Sequence, residues 1–371
     1  MLDAGNVFGS SGLQAQIKAE VALEGMGMMS YDMFNLGSED FNFGTEFLLE
    51  YTGKFNVPTI NANIVYEDTG ENITSPYKIV KFGNLKVGFI GIVSKEYEDE
   101  ILQSNLDYSR KIKVLDEQDV LQTRIEKIKD DVDIIILLAN VGMKKSITIA
   151  EQTEGIDVII CGNGDEKTDS PYWTNGVYIV KTGYEGKTIG NLVLGLGVDK
   201  NLSSVELSIA TLDSSFSDDV ELKALMDEYH DRLEEYKDEL LDIEQKDPDT
   251  GLYYAGLPTC SGCHVSEASK WNDTAHAGAF SSLVEGGQEY NKECITCHTT
   301  GFGYIGGFTV PGETPEMEGV QCEMCHGAGG EHVETGKITF GTVSETTCIK
   351  CHNKDNSPEF DYTIYYPKIE H

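Results

Sequence analysis

The sequence has 371 residues, a formal net charge of −35 and a pI near 4.4. So acidic a surface repels phosphates, which excludes nucleic acid as a partner and disfavours docking on anionic lipid. The length favours two or three domains, and a hydrophobic content of 40% suffices for at least one substantial core. No apolar run reaches the length of about 18 residues that a membrane helix needs, so no membrane span is predicted.

Apolar strands alternate with helical stretches over residues 1–212, which we assign to the first domain. Strands are predicted at 86–93, 132–142, 156–164, 177–183 and 188–198. Continuous apolar runs separated by helical segments are typical of a layered α/β domain in which the sheet is covered on both faces.

Five segments in this region follow a known order: LDAGNVFG, YDMFNLGSEDFNFG, PTINANIV, LLANVGM and IDVIICGNGDEK. They resemble, block by block, the calcineurin-like metallophosphoesterases of the 5′-nucleotidase type. The resemblance implies a metallophosphoesterase-like α/β fold. In that family two metal ions activate a water molecule for phosphoester hydrolysis.

The positions that would hold those metals depart from the family pattern. Asn6 replaces an aspartate, and Gly37–Asp40 replaces Gly-Asn-His-Glu. Asn140 replaces a histidine, and Gly162–Asp165 replaces Gly-His-x-His. We therefore predict a structural domain without catalysis, in which Glu39, Asp40 or Asp165 could at most hold an adventitious cation. The Asp-x-His strand of the pattern would precede residue 1. We expect either a trimmed chain or a neighbouring chain that covers the open sheet edge.

Residues 213–250 are strongly acidic and predict a linker helix. Ser217 is a plausible N-cap, and apolar residues recur at helical spacing after it. His230 flanks that apolar stripe, so it could face either a cofactor or solvent.

Eight of the nine cysteines form four Cys-x-x-Cys-His motifs between residues 260 and 352. A zinc ribbon has no need of a histidine after every pair, and a thioredoxin-like site needs only one pair. The pattern is that of c-type haem attachment, in which two thiols bond the macrocycle and the histidine binds its iron. We therefore predict four haem c groups. The attaching cysteines are Cys260, Cys263, Cys294, Cys297, Cys322, Cys325, Cys348 and Cys351, and the proximal histidines are His264, His298, His326 and His352.

One further histidine remains for each predicted haem, which suits bis-histidine ligation. The candidate distal ligands are His230, His276, His332 and His371. His332 lies only six positions after His326, a span of about 20 Å when extended. Because that span leaves no slack to pass around a macrocycle, we expect His332 to serve a neighbouring haem. No methionine stands out as a ligand, so low-potential haems are expected.

The motif order of residues 251–371, with WNDTAHAGAF and GVQCEMCHGAGGEHV between the attachment sites, resembles tetrahaem cytochromes related to those of ammonia-oxidising bacteria. More closely, it resembles exported multihaem proteins that carry this module behind a phosphoesterase-like domain. The resemblance implies closely packed haems that pass electrons along a chain, with distal ligands at His276 and His332. The predicted fold class is a layered α/β domain followed by a mainly irregular and α-helical tetrahaem cytochrome c domain.

The favoured function is extracytoplasmic electron transfer between redox partner proteins or to an extracellular acceptor. Haem c is attached outside the cytoplasm, so we expect a periplasmic, cell-surface or extracellular location. No basic and apolar leader stands at the start, and the precursor is therefore expected to have carried an export signal.

Three other hypotheses stay open. The protein could be a redox enzyme in which one haem lacks a distal ligand and acts on a small molecule such as a nitrogen oxide; His230 would decide this. It could be an active nucleotidase with an attached cytochrome, which the lost ligands disfavour. Copies could also associate into a homo-oligomer or filament with a continuous haem chain.

Overall fold

The computed structural model describes residues 1–104, 110–164, 167–198, 200–337, 343–354 and 356–371. The chain divides into two units, Met1–Leu225 and Met226–His371, and the division falls within the acidic helix. The strands, all in the first unit, are β1 (Leu2–Asp3), β2 (Met33–Asn35), β3 (Thr59–Ile60), β4 (Ile64–Tyr66), β5 (Tyr77–Phe82), β6 (Leu85–Val93), β7 (Ile112–Val114), β8 (Ile134–Asn140), β9 (Val158–Cys161), β10 (Tyr172–Thr174), β11 (Val177–Val180), β12 (Thr188–Leu196) and β13 (Leu202–Thr211).

Helices accompany these strands and make up the regular structure of the second unit. The helices are α1 (Leu13–Met28), α2 (Gly44–Lys54), α3 (Glu98–Ser104), α4 (Glu117–Ile128), α5 (Met143–Gln152), α6 (Val220–Glu235), α7 (Lys237–Leu241), α8 (Leu257–Cys260), α9 (Val265–Asn272), α10 (Ala279–Glu285), α11 (Lys292–His298), α12 (Cys322–His326), α13 (Gly330–Thr335), α14 (Glu345–Cys348) and α15 (Tyr362–Tyr365).

A six-stranded sheet forms the centre of the first unit, in the order β10-β11-β9-β8-β6-β5. Its four inner strands are parallel, and each edge strand is antiparallel to its neighbour. All seven residues of β8 are buried, because apolar clusters cover both faces of the sheet. A parallel strand buried on both faces is continuously apolar, which is why β6, β8, β9 and β11 were predictable. The layered α/β class is confirmed.

Three smaller sheets complete the first unit. Strands β1, β2 and β3 form a parallel sheet, and β4 pairs with β7. Strands β12 and β13 form an antiparallel hairpin whose inner face packs Leu192, Leu194 and Leu202 against the core. Of these strands only β12 was predicted. Strands β1, β2, β3, β4 and β7 have just two or three residues each, and the ten-residue β13 was missed.

The second unit is built from short helices and irregular chain. No strand is present in its described residues, which bears out the mainly irregular and α-helical prediction. The predicted linker helix is two helices, α6 and α7, with a break at Tyr236. Asp219, rather than Ser217, caps α6, because its carboxylate accepts the N–H groups of Glu221 at 3.0 Å and Leu222 at 3.1 Å.

A core substitution tests the central sheet. The Leu137→Ala variant should lower the free energy of unfolding by about 2–5 kcal/mol, because a fully buried leucine leaves a cavity that its neighbours cannot fill. In the control Leu102→Ala, the residue is 43% exposed, and the change should stay within about 0.5 kcal/mol. Chemical denaturation of the full chain measures both. Equal effects of the two variants would contradict the placement of β8.

Candidate functional site

Each Cys-x-x-Cys-His motif of the second unit occupies one helical turn. The second and third motifs lie in α11 and α12. In the first and fourth, the histidine N–H donates to the carbonyl of the first cysteine, from His264 to Cys260 at 3.0 Å and from His352 to Cys348 at 2.9 Å. Residues three and four apart project from one side of a helix. The two thiols and the imidazole of each motif therefore lie on one side, as attachment to a single haem needs.

Three of the four predicted proximal histidines face a second histidine from another part of the chain. The distances between ring centres are 6.2 Å for His264 and His332, 6.0 Å for His276 and His352, and 5.8 Å for His326 and His371. Each pair combines a histidine of an attachment motif with one of the candidate distal ligands.

The spacing of these rings fits an iron atom between them. A metal–nitrogen bond of about 2 Å, with roughly 1 Å from nitrogen to ring centre on each side, gives about 6 Å across a bis-imidazole pair. Burial, followed by the nearby His352, lowers the pKa of His276, which favours the neutral imidazole that binds metal. The residues present therefore fit the iron of a haem.

Several imidazoles are oriented through the nitrogen that would not bind iron. A ligating histidine commonly donates its other ring N–H to a carbonyl or hydroxyl, which fixes the tautomer and the ring. The Nδ1 contacts are His298 to the carbonyl of Ala279 at 2.8 Å, His332 to the carbonyl of Lys337 at 2.9 Å, His352 to the hydroxyl of Ser357 at 3.0 Å and His371 to the carbonyl of Ile369 at 3.2 Å.

His298 and His230 do not form a fourth pair. Within the described residues, no second histidine ring contacts His298. The Nε2 of His230 instead accepts from the side-chain amide of Gln288 at 2.5 Å. Asn291 donates to the other end of that amide at 2.7 Å, and Cys294 lies 3.9 Å from it. His230 is therefore close to the second motif, and its Nε2 is hydrogen-bonded to Gln288.

Thiols of different motifs are adjacent in two places. Cys260 lies against Cys322, and Cys297 lies against Cys351. The hydrogen bond within each pair lowers the pKa of Cys322 and of Cys297 to about 7, although burial opposes the shift. The first and third motifs thus lie side by side at their cysteines, and so do the second and fourth motifs.

The positions that match phosphoesterase metal ligands meet at one place in the first unit. A Cβ on Gly37 would lie 2.0 Å from the Asn6 Oδ1 and 2.6 Å from the Asn140 Nδ2. Asn140 is fully buried, and its side chain has no hydrogen-bond partner in the described part of the chain. Neutral amides lack the charge and the imidazole nitrogen that hold catalytic metals. Asp165, the last of the matched positions, lies outside the described residues.

The Asp40 carboxylate accepts hydrogen bonds from backbone N–H groups. It is fully buried, and burial raises its pKa to about 7, although its hydrogen bonds oppose the rise. Four backbone N–H groups donate to it: Asn6 at 3.0 Å, Val7 at 2.8 Å, Phe8 at 3.1 Å and Gly37 at 2.7 Å. In the described ranges, no group of three His, Cys, Asp or Glu residues is placed to hold a metal ion.

The fold and the motifs define a fusion of two kinds of domain. A phosphoesterase-type α/β unit is followed by a unit with four haem-attachment motifs. Among the described helices, none combines the length and apolarity of a membrane-spanning segment.

Comparison with known proteins supports the second half of that fusion. The family described as "Cytochrome c554 and c-prime" matches residues 259–327. Cytochrome c-554 of Nitrosomonas europaea is 31% identical over 157 residues, which cover 32% of this chain and 67% of that protein. The chain belongs to the cytochrome c554 family, and through it to the haem c proteins.

The first half resembles nucleotidases. A probable 5′-nucleotidase of Treponema pallidum is 29% identical over 191 residues, which span 45% of this chain and 31% of that protein. A 5′-nucleotidase precursor from Thermus thermophilus superposes with a TM-score of 0.55 at 19% identity, covering 66% of this chain and 51% of the other. The calcineurin-like phosphoesterase YfkN from Bacillus subtilis gives 0.54 at 24% identity, with coverages of 63% and 84%. At these identities the structures establish the fold.

The titration of Asp40 predicts a pH dependence of stability. Its ordinary pKa of 3.8 rises to about 7 on folding, so between these values the folded form keeps a proton that the unfolded form has lost. The free energy of unfolding should therefore fall as pH rises from about 4 to 7. The Asp40→Asn variant should be less stable throughout but show a shallower fall, measured by denaturation across that range.

A matched variant identifies the residue responsible. Asp3 has a pKa of about 6, raised by burial, so Asp3→Asn should flatten the dependence only below about pH 6. An unchanged slope in Asp40→Asn would contradict the assignment.

Proposed function

We propose that this chain transfers electrons outside the cytoplasm through four covalently attached haem c groups. One observation supports the proposal above all: three motif histidines each face another histidine, with ring centres 5.8–6.2 Å apart. The facing histidines are His332, His276 and His371. Two strong axial ligands leave an iron without a site for substrate, which suits electron transfer. When bound, haem c supplies a one-electron iron couple.

The residues of the second unit have distinct roles in this proposal. The eight motif cysteines attach the macrocycles, and His264, His298, His326 and His352 are the proximal ligands. The adjacency of Cys260 with Cys322 and of Cys297 with Cys351 supports close packing of the attached groups. The partners are redox proteins or an extracellular acceptor. Copies that associate would lengthen the haem chain, and light scattering measures that association.

We propose that the first unit is structural. The amides of Asn6 and Asn140 stand where the phosphoesterase pattern has an aspartate and a histidine, and Asp40 is saturated by backbone donors. Loss of charge and imidazoles removes the means to hold two metals, while the buried strands that build the fold persist.

A second candidate function follows from His298. Because Gln288 holds the Nε2 of His230, the iron of the second motif could have one protein ligand and bind a small molecule such as a nitrogen oxide. The cytochrome would then be a redox enzyme at that one position.

Haem count and spin state test the electron-transfer proposal. Intact mass should show four haems, and low-temperature EPR should show low-spin iron at the three paired sites. In His332→Ala one of these signals should become high-spin, because His264 would then be left as the only protein ligand. His230→Ala is the comparison. If it leaves the wild-type spectrum unchanged and one high-spin signal is already present, the open-haem enzyme is favoured. A haem count below four, or no effect of His332→Ala, would contradict the proposal.

An assay of the first unit tests its structural role. Incubation with nucleoside 5′-monophosphates and Mn²⁺, Zn²⁺ or Mg²⁺ should release no phosphate above the rate without protein. Metal-dependent hydrolysis that Asp40→Ala abolishes would show that the unit is an active phosphoesterase.

A further inference from the structure

A buried acid lies inside the third attachment motif. Glu323, between Cys322 and Cys325, is only 2% exposed. Among the described residues of the second unit it is the one buried carboxylate. Acidic side chains are seldom fully buried unless something compensates their charge, so its surroundings matter.

Backbone dipoles, rather than a basic side chain, compensate this charge. The N–H groups of Ala255 and Gly329 donate to the Glu323 Oε1 at 2.8 and 2.6 Å, and that of Gly256 donates to Oε2 at 2.8 Å. All three partners are donors, which suits an ionised carboxylate. Within the described chain no lysine or arginine pairs with Glu323. The site therefore keeps a net negative charge.

That charge lies at the junction of two attachment sites. Glu323 follows Cys322 directly, and its partners Ala255 and Gly256 lead into α8, which ends at Cys260. The Cys260 side chain lies against that of Cys322, so Glu323 adjoins the attachment points of both motifs.

The other three motifs carry no charge at the matching position. It is Ser261 in the first motif, Ile295 in the second and Ile349 in the fourth. Ile295 is fully buried, as Glu323 is, so the second motif offers a buried apolar counterpart to the third.

Resting on the proposed four-haem function, we propose that Glu323 lowers the reduction potentials of the haems attached at Cys260 and Cys322. Reduction adds an electron, and a buried negative charge opposes it with little screening by solvent or salt. Charge and hydrogen bonding around a cofactor are the means by which a protein sets its potential.

This asymmetry would give electron flow a direction. With haem bound, a lowered potential at the first and third sites would favour transfer of one electron from a ferrous iron there to a ferric iron at the second or fourth site, the first iron being oxidised as the other is reduced. No bond would form or break, and the electron would enter from and leave to the external redox partners of the proposed function.

The test is a spectroelectrochemical titration of the Glu323→Gln variant, after intact mass has confirmed four haems. Two of the four midpoint potentials should rise, each by about 59 mV for a tenfold change in the one-electron equilibrium. The other two should remain in place. Glu293→Gln is the matched control, since Glu293 adjoins Cys294 but is exposed, and it should shift none by that amount. Four unchanged potentials in Glu323→Gln would overturn the proposal.

Glu323→Asp separates charge from shape. It keeps the charge but shortens the side chain, so its potentials should stay near those of the wild type. If the aspartate and glutamine variants shift potentials equally, Glu323 acts only through structure, and the proposal fails.

If Glu323→Gln fails to fold or to bind its haems, a second measurement tests the proposal without that variant. Reduced-minus-oxidised infrared spectra of the wild type and Glu323→Asp should differ in a carboxylate band, because the field of the reduced iron reaches that group. The absence of such a band would overturn the proposal. A wild-type chain with fewer than four haems would instead overturn the proposed function, and intact mass reveals this before any titration.

Discussion

The second unit depends on one arrangement: three motif histidines each face a histidine brought from far along the chain. These contacts, between His264 and His332, His276 and His352, and His326 and His371, tie its short helices together. Among its described residues, the longest helix of the attachment region has only eight residues, and helices this short are marginal by themselves. In the proposed haem-bound form, covalent and metal bonds would supply much of the stabilisation that apolar packing gives an ordinary domain.

The first unit is stabilised in the opposite way. Apolar residues cover both faces of its central sheet, and a column of buried amides ties the adjoining segments. Asn63 illustrates this, because its amide donates to the carbonyls of Val93 at 2.8 Å and Leu115 at 3.0 Å. These contacts join segments of the phosphoesterase-like fold without using a metal ligand. A fold whose stability does not depend on its site can lose the chemistry and persist.

The sequence predicted the features whose physics is local or strongly periodic. The apolar runs of β6, β8 and β9 could be predicted because both faces are buried, and the attachment motifs because their spacing matches one helical turn. The strands β1–β3 were not predicted, because two or three residues are too few to show an alternating or continuous apolar pattern. The glycines that follow the third motif show another limit: a Cβ on Gly330 would lie 2.5 Å from the Tyr253 ring. Only the folded chain reveals that contact.

The sequence by itself determined the number of attachment motifs, the inventory of imidazoles and the presence of amides at two positions of the phosphoesterase pattern, because these are matters of residue identity and local spacing. The tertiary structure decided which histidines face one another, that Gln288 holds His230, and that Glu323 lies buried between two motifs. Such pairings join residues tens of positions apart. They depend on how every intervening turn directs the chain, and no local pattern carries that information.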